Sequence, residues 1–353
     1  MAQNIGKALA LILAIVSALS YIISMTIGPI LFFSTTDGLT VAARQIHQLP
    51  IEVFMVITIP VPLGVNLGVL FAGIWALFAA CFIFAWLSRG GFVNAVRDVL
   101  TKSVSVAKTN FLFIMPLIAS GLLYATVLIE EFQTTQGVQT GSLNFPPSTS
   151  PYLILLDLAF APLQEEFAFR ITSVGIPLGI ALLFLYRSDP KLAGPINKIK
   201  LLVLAMLSPD RAKLKLGYRN VSTDGFWHGI SPLEWALILI TGFAFGSAHL
   251  LFGGGWEIGK VTTAFLAGVV FGVVYVAYGA YAPILLHWFF NYYFTVLDMG
   301  ASTYGGVLQT FSNLSEVTAL AVGQVVLIVF LLVIAVKISN SLTLRAAGMG
   351  RSG

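Results

Sequence analysis

The sequence predicts an all-α, polytopic bundle of about eight helices embedded in a membrane. Three observations predict it. Hydrophobic residues make up 58% of the 353 residues and charged ones 10%, whereas soluble domains carry about 25% charge. The apolar residues fall in runs close to the ~20 needed to cross a bilayer. The 19 Lys and Arg cluster in alternate connections between those runs, the asymmetry that orients membrane helices.

The first run, 8–33, follows Lys7 and so starts like a secretory leader. It is longer than a leader's apolar core and lacks a small-x-small cleavage site, so it reads as an uncleaved span. Residues 51–63 are apolar but short and contain Pro60 and Pro62, which reads as an interfacial or re-entrant segment. Spans follow at 66–87 and 111–129. Residues 152–186 exceed one straight crossing at a rise of about 1.5 Å per residue, and Gly175 and Pro177 are the expected break points. The remaining spans are 232–251, 261–278, 281–297 and 317–336. The chain thus divides into N-terminal spans (1–150), a central membrane core (151–297) with a basic insert (188–231), and a last span with a basic tail (298–353).

Basic residues set the expected orientation. Lys7 precedes the first span, and Arg89, Arg97, Lys102 and Lys108 lie between the second and third. Arg187, Lys191, Lys198, Lys200, Arg211, Lys213, Lys215 and Arg219 follow the long stretch, and Lys337, Arg345 and Arg351 close the chain. Residues 130–150 and 300–315 contain no Lys or Arg, and the other loops on that side contribute Arg44 and Lys260. Both termini are therefore expected in the cytoplasm of a cell whose membrane this chain spans. The net charge of +4 follows the same asymmetry and carries no nucleic-acid signal. Around 199–207 the insert is amphipathic with basic neighbours, which suits anionic headgroups or a short packed helix equally. Cys81, the one cysteine, sits in an apolar run and reads as packing; a lone thiol excludes an intrachain disulfide and a cysteine metal cluster.

Charged groups inside apolar helices are costly, so they are usually paired or functional. Three clusters qualify. Gln164, Glu165, Glu166 and Arg170 form the first: Glu166 and Arg170 are four apart and share a helical face, while Glu165 is rotated by about 100°. One carboxylate is thus free to pair with the guanidinium while the other serves as a base, or simply faces water. Asp157 lies on nearly the same face as Gln164 and reads as a hydrogen-bonding group toward a neighbouring span. The second cluster places His249 in a span rich in small residues, Gly242, Ala244, Gly246, Ser247 and Ala248, where helices approach closely. The third sets His287 and Asn291 four apart. Each cluster alone also has a plain structural reading as buried polar packing. Together they supply a base, a second proton-handling group and donors for an oxyanion. His47 and His228 fall in expected loops, outside this constellation.

The strings Glu165-Glu166-x-x-x-Arg170, Phe245-x-x-x-His249 and His287-x-x-x-Asn291, in that order, resemble the three motifs of the CAAX protease and bacteriocin-processing family. That family includes the type II CAAX prenyl endopeptidases and the lysostaphin-resistance-like proteins. Gly268, Phe271, Gly272, Tyr275, Gly279 and Pro283-Ile284 add to the likeness, which covers roughly 152–294. The resemblance implies intramembrane proteolysis of a membrane-embedded or lipidated peptide. Glu165 and His249 would activate a water, His287 and Asn291 would stabilise the oxyanion, and Glu166 and Arg170 would support the site. No cofactor is required by this reading, although Glu165, His249 and His287 would suit a zinc ion. The His-Glu-x-x-His zinc signature is missing. Two other classes share these residues: a non-catalytic scaffold or immunity factor working through the basic insert, and a proton-coupled transporter. Counted from the span ends, Glu165 and His287 fall nearer the cytoplasm and His249 nearer the outside, by about 10–15 Å.

Overall fold

The computed structural model describes residues 2–101 and 108–349. Lys102 and Arg351, two of the orienting cations, lie outside the described residues. The chain runs α1 (Ala2–Ser34), α2 (Thr36–Ala42), β1 (Gln45–Val53), β2 (Ile57–Asn66), α3 (Leu67–Leu87), α4 (Phe92–Thr101) and α5 (Phe111–Thr135). Then come α6 (Pro151–Glu166), a π-helical stretch (Phe167–Gly175) and α7 (Ile176–Leu185). The insert holds a 3₁₀ turn (Pro190–Leu192), α8 (Pro195–Leu207), α9 (Pro209–Leu216) and α10 (Val221–Gly229). The chain ends with α11 (Pro232–Phe252), α12 (Ile258–Tyr278), α13 (Tyr281–Trp288), a second π stretch (Phe289–Tyr293), α14 (Phe294–Tyr304) and α15 (Gly306–Met349).

This is a multi-pass, all-α membrane bundle with one small hairpin. Among the described residues, six helical stretches are long and apolar enough to cross a bilayer, or seven if α1 and α2, bent by 83°, count as one span. That is fewer than the eight expected. The missing one, 281–297, is helical but not among them. Its polar and aromatic residues are covered by protein instead: α13 is buried along its whole length. By contrast Phe330, Leu331 and Leu332 on α15 are 55, 55 and 60% exposed, the pattern of an apolar helix whose solvent is lipid.

Two expectations need correction. Residues 51–63 are part of an antiparallel hairpin, with Leu49, Ile51 and Val53 opposite Val61, Ile59 and Ile57. Directly paired residues share a sheet face, so all six aliphatic side chains line one face, while Gln48, Pro50, Glu52, Thr58, Pro60 and Pro62 line the other. This alternation is what the prolines obscured, since Pro is tolerated on strand edges. At the turn Phe54 and Met55 have φ of 50° and 68°, and the Phe54 N–H donates to Thr172 Oγ1 at 2.9 Å. The second correction concerns Gly175 and Pro177, where no break occurs: Pro151–Leu185 is one 35-residue helix. The irregularity is absorbed as π winding just before Pro177, where the hydroxyls of Thr172 and Ser173 donate to the Ala168 carbonyl at 2.8 and 2.7 Å.

Local chemistry fixes the helix ends that position the core. Asn110 caps α5 by accepting from the Leu112 N–H at 3.0 Å, and its amide donates to the Ala85 and Ser88 carbonyls at 2.8 and 2.7 Å. This staples the end of α3 to the start of α5. Ser231 and Glu234 form a capping box at α11. Along the α11–α12 crossing, a Cβ added at Gly268 would sit 2.9 Å from Gly242 Cα, so the backbones meet as only small residues permit.

The insert is packed rather than loose. Leu178 and Leu182 of α7 share a core with Leu192, Leu201, Ala205, Ala212 and Leu216. Lys213 is fully buried, 2.7 Å from Glu234 Oε1, and donates to the Gly229 carbonyl at 2.7 Å. Asp210 accepts from the Val221 N–H at 2.6 Å and pairs with Arg89 at 3.5 Å, while Arg89 also donates to the Ala277 carbonyl. On the amphipathic α8, Leu201 and Ala205 face this core, and Ile196, Ile199 and Val203 stay exposed.

Candidate active site

The first polar cluster lies where α6 passes into π winding. Glu166 and Arg170 are fully buried, with Oε1 and Nη1 3.1 Å apart. The guanidinium also donates to the Gly268 carbonyl at 3.2 Å and lies over the Phe245 ring, 4.6 Å from its centroid. His287 reaches this pair from α13. Its Nδ1 is 2.9 Å from Glu166 Oε1, and its Nε2 is 3.6 Å from Glu165 Oε2, close enough for charge interaction but long for a hydrogen bond. Arg170, Glu166, His287 and Glu165 thus form a chain of contacts. Glu165 is the member that keeps access to open space: its side chain is 28% exposed against 4% for His287.

His249, half-buried near the end of α11, enters differently. Its Nδ1 is 2.8 Å from the Phe245 carbonyl. A carbonyl only accepts, so Nδ1 carries the proton and Nε2 keeps its lone pair. The Phe245 ring lies between the two imidazoles, with centroids 4.8 Å from His249 and 5.7 Å from His287. Residues counted to different depths along their helices thus converge on one phenyl ring.

Of the residues named from sequence, Glu165, Glu166, Arg170 and His287 are in direct contact, and His249 joins them across Phe245. Asn291 sits half-buried in the second π stretch, and its side chain makes no hydrogen bond to another described residue. Asp157 is exposed and likewise bonds no neighbouring span, because it lies on the outer face of α6. His47, on β1, and His228, on α10, are exposed. The zinc donor set does not assemble: among the described residues no three His, Cys, Asp or Glu side chains are grouped to hold an ion. Phe245 and Gly268 stand in the family-like strings of the sequence, but no role in the site followed from them there, although Phe245 stands one helical turn before His249. A ring's role as a spacer leaves no pattern in a single chain.

The structure is thus a helical membrane bundle that carries a buried carboxylate–histidine cluster. Residues 147–293 match the family model described as type II CAAX prenyl endopeptidase Rce1-like. The match covers the part of the chain that carries Glu165, Glu166, Arg170, Phe245, His249, His287 and Asn291, and it supports a place in the CAAX protease and bacteriocin-processing family. Comparisons with curated proteins and with solved structures gave no match.

Proposed function

We propose that this protein is an intramembrane endopeptidase that hydrolyses a peptide bond in a membrane-associated or lipidated substrate, with both termini in the cytoplasm. The observation that carries the proposal is the facing of Glu165 Oε2 and His287 Nε2 at 3.6 Å inside an otherwise apolar bundle. In this reading Glu165 takes a proton from a water as its oxygen attacks the scissile carbonyl carbon. His249 accepts a hydrogen bond from the same water at Nε2. A protonated His287, held at Nδ1 by Glu166, presents Nε2–H to the oxyanion, and the Asn291 carboxamide is the second donor. When the tetrahedral intermediate collapses, the C–N bond breaks and Glu165 returns its proton to the leaving amine. Arg170 keeps the Glu166 carboxylate in place for His287.

The test is cleavage of a membrane-anchored reporter peptide by purified protein in liposomes. Glu165→Ala and His249→Ala are expected to lower the rate at least about 100-fold without lowering the unfolding temperature. Full activity in both variants would overturn the proposal and favour a non-catalytic role for the insert.

A further inference from the structure

Lys260, on the first turn of α12, is half-buried beside the site described above. Its ammonium lies over the Trp256 ring, 3.9 Å from the centroid. Nζ makes no ion pair and no hydrogen bond to another described residue. A lysine at a helix end in a membrane ordinarily runs its stem outward so that the ammonium meets water. This one instead lies over Trp256, whose ring neighbours His249 of the site.

Trp256, which holds it there, is fixed in turn. The loop from Gly253 is strapped to the segment before α6 by Asn144 N–H to the Gly254 carbonyl at 2.8 Å and Glu257 N–H to the Thr140 carbonyl at 2.9 Å. The Trp256 ring stands 6.4 Å from the His249 ring. Two further polar atoms near this corner, Gln133 Oε1 and Thr140 Oγ1, are buried without a partner; the Gln133 amide donates to Thr262 on α12. A half-buried ammonium without a paired anion is costly, and the aromatic face offsets only part of that cost.

We propose that Lys260, seated on Trp256, is a subsite for a carboxylate of the substrate, placing the scissile bond a short distance from that negative charge. The inference rests on the endopeptidase reading and names a specificity-determining residue for it. The carboxylate is either the free C-terminus of the peptide or an aspartate or glutamate side chain.

Binding to the Glu165→Gln protein, which separates recognition from turnover, tests it. The probes are an N-terminally acylated peptide as the free acid, the same peptide as its C-terminal amide, and the amide with a penultimate aspartate. A carboxylate-bearing probe is expected to bind about tenfold more tightly than the plain amide. That preference should vanish in Glu165→Gln/Lys260→Gln and return partly with Lys260→Arg. A preference limited to the free acid assigns the C-terminus, and one limited to the aspartate probe assigns a side chain. Equal affinity for all three probes, or a preference that survives Lys260→Gln, overturns the inference. The endopeptidase reading is tested separately by cleavage with the unsubstituted protein.

Discussion

Glu166 and Arg170, four residues apart on one helix, meet with Oε1 and Nη1 3.1 Å apart and neither side chain exposed. The same carboxylate oxygen is 2.9 Å from His287 Nδ1, so the ion pair that anchors the helix also orients an imidazole from a helix 121 residues further along. Removing one member of a buried pair leaves the other charge stranded and costs about 3–5 kcal/mol. Arg170→Ala is expected to lose stability on that scale, measured by thermal unfolding in detergent. Arg170→Lys should recover only part of it, because a point charge does not reach both Glu166 and the Gly268 carbonyl.

Phe245 touches Arg170, His249 and His287 at once. Phe245→Leu keeps an apolar side chain of lower volume, and the expected stability loss is about 1–2 kcal/mol. Activity is expected to fall further than stability, since the distance between the imidazoles is set by the ring. Parallel measurement of reporter cleavage and unfolding temperature separates the two effects.

The insert depends on Lys213, whose ammonium joins Glu234 of α11 to the Gly229 carbonyl. Lys213→Ala is expected to cost about 3–5 kcal/mol locally, because Glu234 is left buried and unpaired. Limited trypsin digestion in liposomes is expected to cut between Arg187 and Arg219 faster in this variant than in the unsubstituted protein.

Asp224, exposed on α10, gives a pH dependence of definite sign. The Asn220 backbone N–H at 2.9 Å, and then the Thr223 hydroxyl at 2.8 Å, hold its carboxyl below the usual carboxylate range. The folded value is depressed, so its contribution is present above the unfolded value near 3.8 and is lost as pH falls through the lower folded one. Hydrogen-exchange protection factors across residues 220–229, taken relative to the intrinsic rate at each pH, should fall on acidification in that range, and Asp224→Asn should flatten this component of the profile.

The helices and the polar residues inside them were legible in the sequence because both signals are local. A run of apolar residues near the bilayer's length, and a charge within it, can be read without knowing what lies opposite. The pairing of Glu166 with Arg170 was likewise visible, since a separation of four on a helix fixes a shared face. The hairpin was hidden because its alternating faces emerge only when Leu49, Ile51 and Val53 are set against Val61, Ile59 and Ile57.

By itself, then, the sequence determined a lipid-embedded helical chain and the handful of ionisable groups it carries into the apolar region. Tertiary structure alone decided which of them touch. His287 lies against Glu165 and Glu166, and His249 stands one ring away, because α11, α12 and α13 pack around the π-wound helix as close glycine crossings and shape allow. Contacts between residues a hundred positions apart depend on how surfaces meet, and no local periodicity records that.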